Sequence, residues 1–323
     1  MKNNVVLGAF LCLISAISWG AMFPVANHAF QHIDPLYFTI FRYGFVTIIL
    51  IVWLLWKEGK QAFRFEGKGW HLWFYGTMAF AVYNLLIFWG QDLLGNPGTM
   101  IASIMESLMP MISIIIAWVF IRQRPHAFTM FCVFIGFVGA SLVVTKGDFG
   151  AFFTAKNDIL PSLLIFIAVV GWVVYTMGGS RFSKDGWSAL RYSTLSCLLG
   201  TATALVVVLG ATLSGYVSFP TVETIMITSP HIAFMVIFPG VIALVGWNYG
   251  VSVITPLNGL LFLNLVPVTT LVIQIVQGAG ITVYDYIGTI FIIISLLTNN
   301  IFLRWQQRSK QPKENFEGRL QET

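Results

Sequence analysis

Glu106 is the residue whose type and place most invite chemistry. It lies eight or nine residues into a largely apolar run over 98–121, away from both ends. A carboxylate at the centre of a bilayer costs roughly 2.5–3.5 kcal/mol on insertion scales unless it meets a cavity or a partner. Thr99, Ser103, Glu106, Pro110, Ser113 and Ala117 follow spacings of four, three, four, three and four. That rhythm places them on one helical stripe, small and polar as a cavity wall would be. Pro110 removes an N–H and so frees the carbonyl one turn before it. The stripe therefore reads as a candidate binding wall with a candidate proton carrier at its centre. The bland alternative is a structural carboxyl bonded to a neighbouring helix.

Other polar residues sit in similar runs. Thr77, Asn84 and Gln91 are seven apart and are expected to share a face, with Asn84 central and Tyr83 beside it. Ser15, Ser18, Trp19 and Met22 follow helical spacing in the first run; Trp172, Thr176 and Gly179 do so in the sixth. A Trp deep in a run either stacks on a ligand or packs. Asn248 stands beside Trp247, and Asn258, Asn264, Pro267 and Gln274 occupy the ninth run. Each Asn reads equally as pocket lining or as a bond between helices. Arg42 and Arg191 lie within runs but toward one end, where snorkelling to lipid phosphate is inexpensive. Arg42 has two further options, an anionic ligand or a pair with Asp34 or Asp92. Gly136 and Gly139 read as close helix contacts.

The elements that must hold these residues are membrane spans. Of 323 residues, 57% are hydrophobic and only 10% charged, against about 25% charged in soluble domains. Such a surface excludes a soluble enzyme, a disordered chain and a nucleic-acid binder. About 20 apolar residues cross a bilayer, and ten runs qualify: 5–29, 36–56, 70–90, 98–121, 126–145, 159–179, 188–213, 231–250, 256–278 and 284–303. They are too long and too uniformly apolar for barrel strands. The first lacks a clear cleavage site and is kept as a helix. Placing the N-terminus in the cytoplasm puts fourteen of the eighteen Lys and Arg inside and two, Lys146 and Lys156, outside. That bias sets both termini inside, and it explains the net charge of +5 without nucleic acid.

The chain also reads as folded twice. Trp19 and Arg42 in the first half correspond to Trp172 and Arg191 in the second, at spacings of 23 and 19. Trp89 and Pro110 correspond to Trp247 and Pro267, at 21 and 20. The fold class is therefore an all-α integral membrane protein of ten helices in two five-helix repeats. The first covers 1–146, the second 157–305, and a polar cytoplasmic tail follows over 306–323. An odd number of spans per repeat inverts the second against the first, an arrangement that places ligand sites near the midplane.

Trp19-Gly20, Asp34-Pro35 and Arg42 resemble the opening of an EamA-type repeat of the drug/metabolite transporter superfamily. GNPGTMIASIMESLMPMISIIIAW resembles that family's fourth helix, GFVGASLVV the end of its fifth, and PLNGLLFLNLVPVTTLV the second repeat's counterpart. The resemblance covers nearly the whole chain, to about residue 305. Many members open the fifth helix with Gly-Glu; here the place reads Arg122-Gln123-Arg124-Pro125, and the second repeat reads GAGITVYDY. The missing acid implies altered packing or gating of the fourth and fifth helices. The resemblance implies a secondary transporter of small organic molecules, such as amino acids or other metabolites, in the cell membrane, export being the commoner direction. It implies a central cavity bordered by the third, fourth, eighth and ninth spans. The substrate-binding set is Trp19, Asn84, Ser103, Glu106, Trp172, Asn248, Asn258 and Asn264.

Competing functions lack a foothold. An intramembrane enzyme needs a nucleophile–base pair or a metal cluster, and neither reads from the runs. A sensor or scaffold is expected to carry a cytoplasmic output domain. No P-loop, nucleophile elbow or dinucleotide loop is present, and no cofactor is expected. The five His lie near predicted span ends without metal-ligand spacing. Cys12, Cys132 and Cys197 each lie in an apolar run and read as packing residues. The partners expected are a small-molecule substrate and the lipid bilayer.

Overall fold

The computed structural model describes residues 2–121, 126–145, 147, 156–278, 282–295, 297–299, 301, 302 and 305. Arg122 to Pro125, Lys146, residues 279–281 and the tail over 306–323 lie outside the described residues. The helices are α1 (Lys2–Ala29), α2 (Pro35–Glu58), α3 (Gly69–Leu93), α4 (Asn96–Glu106), α5 (Met109–Ile121), α6 (Ala127–Thr145), α7 (Lys156–Lys184), α8 (Ala189–Leu213), α9 (Val222–Ile254), α10 (Asn258–Val276) and α11 (Val283–Asn299). Seven described helices are long and apolar enough to cross a membrane, or eight if the bent pair α4 and α5 is one span. The protein is thus a helical, multi-pass membrane protein. In lipid a helix satisfies its own backbone, which is why these runs fold this way.

Local chemistry sets the ends. Asp34 caps α2, its side chain accepting from Leu36 N at 2.8 Å with Pro35 at the first turn. Ser188 caps α8 in the same manner, accepting from Arg191 N at 2.9 Å. Thr221 caps α9 ten residues before the predicted start of its span. That span was expected at 231–250; a cap at 221 and two tolerated prolines, Pro230 and Pro239, extend it to Val222–Ile254. His231 consequently lies within a helix and not at its end.

Two features recur that periodicity did not reveal. A π-helical segment interrupts α3 at Thr77–Tyr83, and another interrupts α9 at Val236–Ile242. A backbone break at positive φ follows each helix, at Gly95 (φ 64°) before α4 and at Thr255 (φ 78°, ψ 151°) before α10. The helices also pack across the halves in matching pairs. α1 lies on α9 and α10, α7 lies on α3, α4 and α5, and α2 lies on α8. Gly76 of α3 and Gly200 of α8 touch backbone to backbone, leaving no space for a side chain at either. Gly139 faces Gly288 and Ile292 of α11, a close helix contact as expected.

At one end of the bundle, the link between α2 and α3 is clamped to the link between α7 and α8. Arg191 donates to Ala62 O (2.8 Å), Arg64 O (2.5 Å) and Glu66 (2.8 Å), and lies 3.8 Å from the Trp187 ring centroid. Lys68 pairs with Asp185 at 2.6 Å, and Ser188 donates to Glu58 at 2.6 Å. Arg191 therefore does not snorkel to lipid, as its position had suggested. Three acceptors in the link between α2 and α3 hold it instead.

Two expectations follow from this architecture. Thr255 occupies a backbone region that is essentially reserved for glycine, at a cost of order 1–3 kcal/mol. Thr255→Gly is expected to raise the melting temperature in detergent, where an ordinary loop Thr→Gly change would lower it. Glu66, hydrogen-bonded first by Arg191 and then by Trp187, is held below its ordinary carboxylate value of 4.5. A depressed value means that its contribution is present above the ordinary range and fades as pH falls through the depressed one. Thermal melts should show Glu66→Gln slightly less stable than wild type at neutral pH, the gap closing in acid.

Candidate functional site

The centre of the bundle is an aromatic seam built from both halves. Trp19 of α1 stands edge-on between Trp172 of α7 (centroids 5.0 Å) and Trp247 of α9 (5.1 Å). Trp172 then meets Tyr83 of α3 at 5.1 Å and Tyr175 of its own helix at 5.2 Å. Each such pair contributes about 0.5–1.5 kcal/mol beyond area burial. All three indoles are at least 95% buried, so none is an interfacial anchor.

Polar groups of the seam are bonded chiefly across helices. Trp19 Nε1 donates to Pro239 O at 3.1 Å, inside the α9 π segment. Asn84 Nδ2 donates to Ala79 O at 2.6 Å, inside the α3 π segment. Each π segment thus presents a carbonyl to a core side chain, and such segments are frequent at functional sites. Trp247 Nε1 donates to Thr176 at 3.3 Å. Asn248 Nδ2 donates to Tyr175 and to Ser193, both at 2.8 Å.

Glu106 ends α4, just before a 45° bend into α5. Pro110 lies in the first turn of α5, so its missing N–H leaves Glu106 as the last residue of the preceding helix. The Tyr83 hydroxyl donates to Glu106 Oε1, and Oε2 is buried with no partner. Thr99, Ser103, Glu106 and Ser113 are buried, but so is every residue over 98–113 except Met105, so burial does not single out the stripe. Ser103 donates to Met100 O of its own helix at 2.8 Å.

Arg42 enters this site from α2. It was expected to reach for lipid phosphate, yet it is 99% buried. Its Nη1 lies 3.4 Å from Asn84 Oδ1 and 3.8 Å from Met22 Sδ, and its guanidinium sits 4.7 Å from the Tyr43 ring centroid. These bonds run to Asn84 and Met22, neither of them the Asp34 or Asp92 weighed as partners. An inward-facing neighbour row on α2 overrides the nearness of the helix end.

The remaining candidates divide. Trp19, Asn84, Glu106 and Trp172 come together, and Asn248 joins them through Tyr175. Asn258 stands apart: it is half-buried and donates to Ile254 O at 2.9 Å, bridging the break before α10. Asn264 is buried with Oδ1 unpartnered. Thr77 does not share the Asn84 face. The wider π turn rotates the register between them, so Thr77 bonds Thr203 of α8 at 3.1 Å. Gln91 instead donates to Phe23 O of α1 at 2.9 Å. Trp19, Trp172, Tyr83, Tyr175 and Asn248 are packed against one another in this conformation. A cavity of about 720 Å³ lies elsewhere, lined in part by Leu7, Trp53, Lys57, Val245 and Tyr249. Among the described residues no group of three or more His, Cys, Asp or Glu stands where it could hold a metal ion. The three cysteines are buried and unpaired.

Sequence reasoning missed Tyr175, Tyr83 as the partner of Glu106, and the depth of Arg42. Tyr175 follows Trp172 by three residues, so helical spacing was a usable signal for it. The role of Tyr83 depends on the π segment, which carries no such pattern.

A multi-pass helical bundle with a closed polar and aromatic centre is the build of a membrane transporter. Residues 6–145 and again 159–301 match the EamA-like transporter family. The chain belongs to that family and is a transporter of the drug/metabolite type. It is 48% identical over 98% of its length to "Uncharacterized transporter YrdR" of Bacillus subtilis (strain 168), covering 98% of that protein. It is 27% identical to "Uncharacterized transporter YyaM" of the same organism, over 92% of this chain and 95% of that one. A solved structure titled only "Crystal structure of protein" shares the fold at a TM-score of 0.68 and 17% identity, over 95% of this chain and 99% of its own.

Tyr83→Phe removes the hydroxyl on Glu106 and leaves a buried carboxyl without either partner. A loss of about 1–3 kcal/mol is expected from such an orphaned group. Trp89→Phe, outside the seam, is the control, and thermal unfolding of both variants checks the difference.

Proposed function

We propose that this transporter is a secondary active exporter of small polar metabolites or amino acids, working by alternating access and coupled to protons through Glu106. In this reading ten spans form two inverted repeats, 1–146 and 157–305, with both termini and the 306–323 tail in the cytoplasm. The membrane is the cell (plasma or inner) membrane. Trp19, Asn84, Ser103, Glu106, Trp172, Asn248, Asn258 and Asn264 bind the substrate.

One observation carries the proposal: Glu106 sits where α1, α3 and α7 of the two halves meet, one oxygen held by Tyr83 and the other unpartnered. An intramembrane carboxyl with a free lone pair is a place for a proton or a cationic group. The seam around it consists of aromatic contacts between halves, and rocking one half against the other breaks and remakes such contacts. The matched π segments and breaks support two alike halves. The distribution of Lys and Arg supports the orientation. The absence of a nucleotide motif in the sequence leaves a gradient or exchange as the energy source.

The test is efflux from liposomes holding purified protein and a mixed pool of metabolites and amino acids. Selective loss of one compound class is expected. Glu106→Gln should slow that loss at least tenfold and flatten its pH dependence. Wild-type rates for Glu106→Gln at every pH would remove the proton role. No loss of any compound, even with imposed proton gradients and inserted protein, would favour a non-transporting sensor or scaffold.

A further inference from the structure

Arg42 is a cation with no charged partner in contact. Arg keeps its charge at every accessible pH, and a lone buried charge is strongly unfavourable. Yet the described ion pairs, Lys68–Asp185 and Arg191–Glu66, both lie at the end of the bundle. Arg42 touches the Asn84 amide, the Met22 sulfur and the Tyr43 ring, all uncharged, and its Nε has no hydrogen-bond partner.

Glu106 has the complementary deficit. Its Oε2 is a buried acceptor without a donor. Tyr83 holds Glu106 and Asn84 holds Arg42, and these two residues are consecutive on α3. The two charges therefore flank one turn of the same helix without closing into a direct pair. A donor on a cation and an acceptor on an anion stand open together, beside the Trp172 ring that touches Tyr83.

We infer that Arg42 is a substrate-contacting residue: its guanidinium takes the anionic oxygen group of a small zwitterion whose cationic nitrogen rests on Glu106. This rests on the transporter reading above and adds to it a residue and a charge rule. The ligand must carry both signs. Each charge of the site is then neutralised by the ligand, and the ammonium gains the faces of Tyr83 and Trp172. A proton on Glu106 removes the charge that receives the ammonium, so proton and zwitterion exclude each other.

The test is ligand-induced thermal stabilisation of the purified full-length protein. The probes are L-alanine, L-threonine and L-phenylalanine, their methyl esters, which keep only the ammonium, and their N-acetyl derivatives, which keep only the carboxylate. At least one amino acid should stabilise wild type, with its ester and N-acetyl forms weaker by tenfold or more. Arg42→Gln should weaken amino-acid binding roughly 10- to 100-fold, the range for a lost charge-assisted bond, while Arg42→Lys retains part of it. Wild-type binding by Arg42→Gln, equal binding of ester and amino acid, or no binding of any amino acid would each overturn the inference. If Arg42→Gln folds poorly, the double variant Arg42→Gln/Glu106→Gln removes both charges and should melt higher than the single one; failure to do so would count against the charge rule. Efflux of an uncharged compound without amino-acid binding would leave the transporter reading standing and the role of Arg42 refuted. Arg42-dependent binding without efflux of anything would do the reverse.

Discussion

Every polar group placed inside a bilayer must find its partner within the protein, and this constraint shapes the whole molecule. The backbone meets it by forming helices. Side chains meet it by meeting across helices. Trp19 gives its N–H to a carbonyl of α9, Gln91 to one of α1, and Asn248 bonds Tyr175 and Ser193. The exceptions are therefore informative. Arg42 Nε and Glu106 Oε2 are left open at the seam, and Gln91 Oε1 and Asn264 Oδ1 are also buried and open.

The two π segments show how the fold arranges this. Each lies in a helix that packs on the opening helix of the other half: Thr77–Tyr83 against α7, and Val236–Ile242 against α1. Each lends a carbonyl to a core side chain. The positive-φ breaks at Gly95 and Thr255 then turn the chain sharply into α4 and α10. The resulting halves are alike in device but not in content. Glu106 and Arg42 both belong to the first half. The second half contributes Trp172, Tyr175, Trp247 and Asn248. Charge comes from one half and most of the aromatic wall from the other, so the site is complete only where they meet. At one end of the bundle, Arg191, Glu66, Lys68 and Asp185 tie the halves together as well.

Much of this was legible in the sequence because it rests on composition and fixed spacing. Apolar length marked seven of the expected spans, or eight with the bent pair α4 and α5 counted as one, among the described residues. Asp34-Pro35 stands at the start of α2, whereas the break that leaves Glu106 at a helix end falls inside the run 98–121, which was expected to be one span with Glu106 away from its ends. The polar stripe from Thr99 to Ser113 is buried together with its neighbours over 98–113, and the 45° break after Glu106 interrupts its 3.6-residue period. The same period failed from Thr77 to Asn84, where a π turn intervenes and no residue type announces it. Arg42 was misread because nearness to a helix end suggests lipid, whereas direction depends on which face α8 and α3 cover. Thr255 could not be read as a break, since its backbone region is one that glycine alone adopts easily. Asn258 bonds the backbone at the break before α10, a contact that its spacing in the run did not announce.

The central claim is that the Glu106 stripe, closed in this conformation, opens in turn to each side of the membrane. Ser103 reports on it most directly, being fully buried one turn before Glu106 on the same stripe. With Cys12, Cys132 and Cys197 replaced by alanine, Ser103→Cys would be exposed to a membrane-impermeant thiol reagent in right-side-out and inside-out vesicles. The account predicts labelling from both sides, suppressed when the transported compound is present. Labelling from neither side, or from one side alone under every condition, would contradict it.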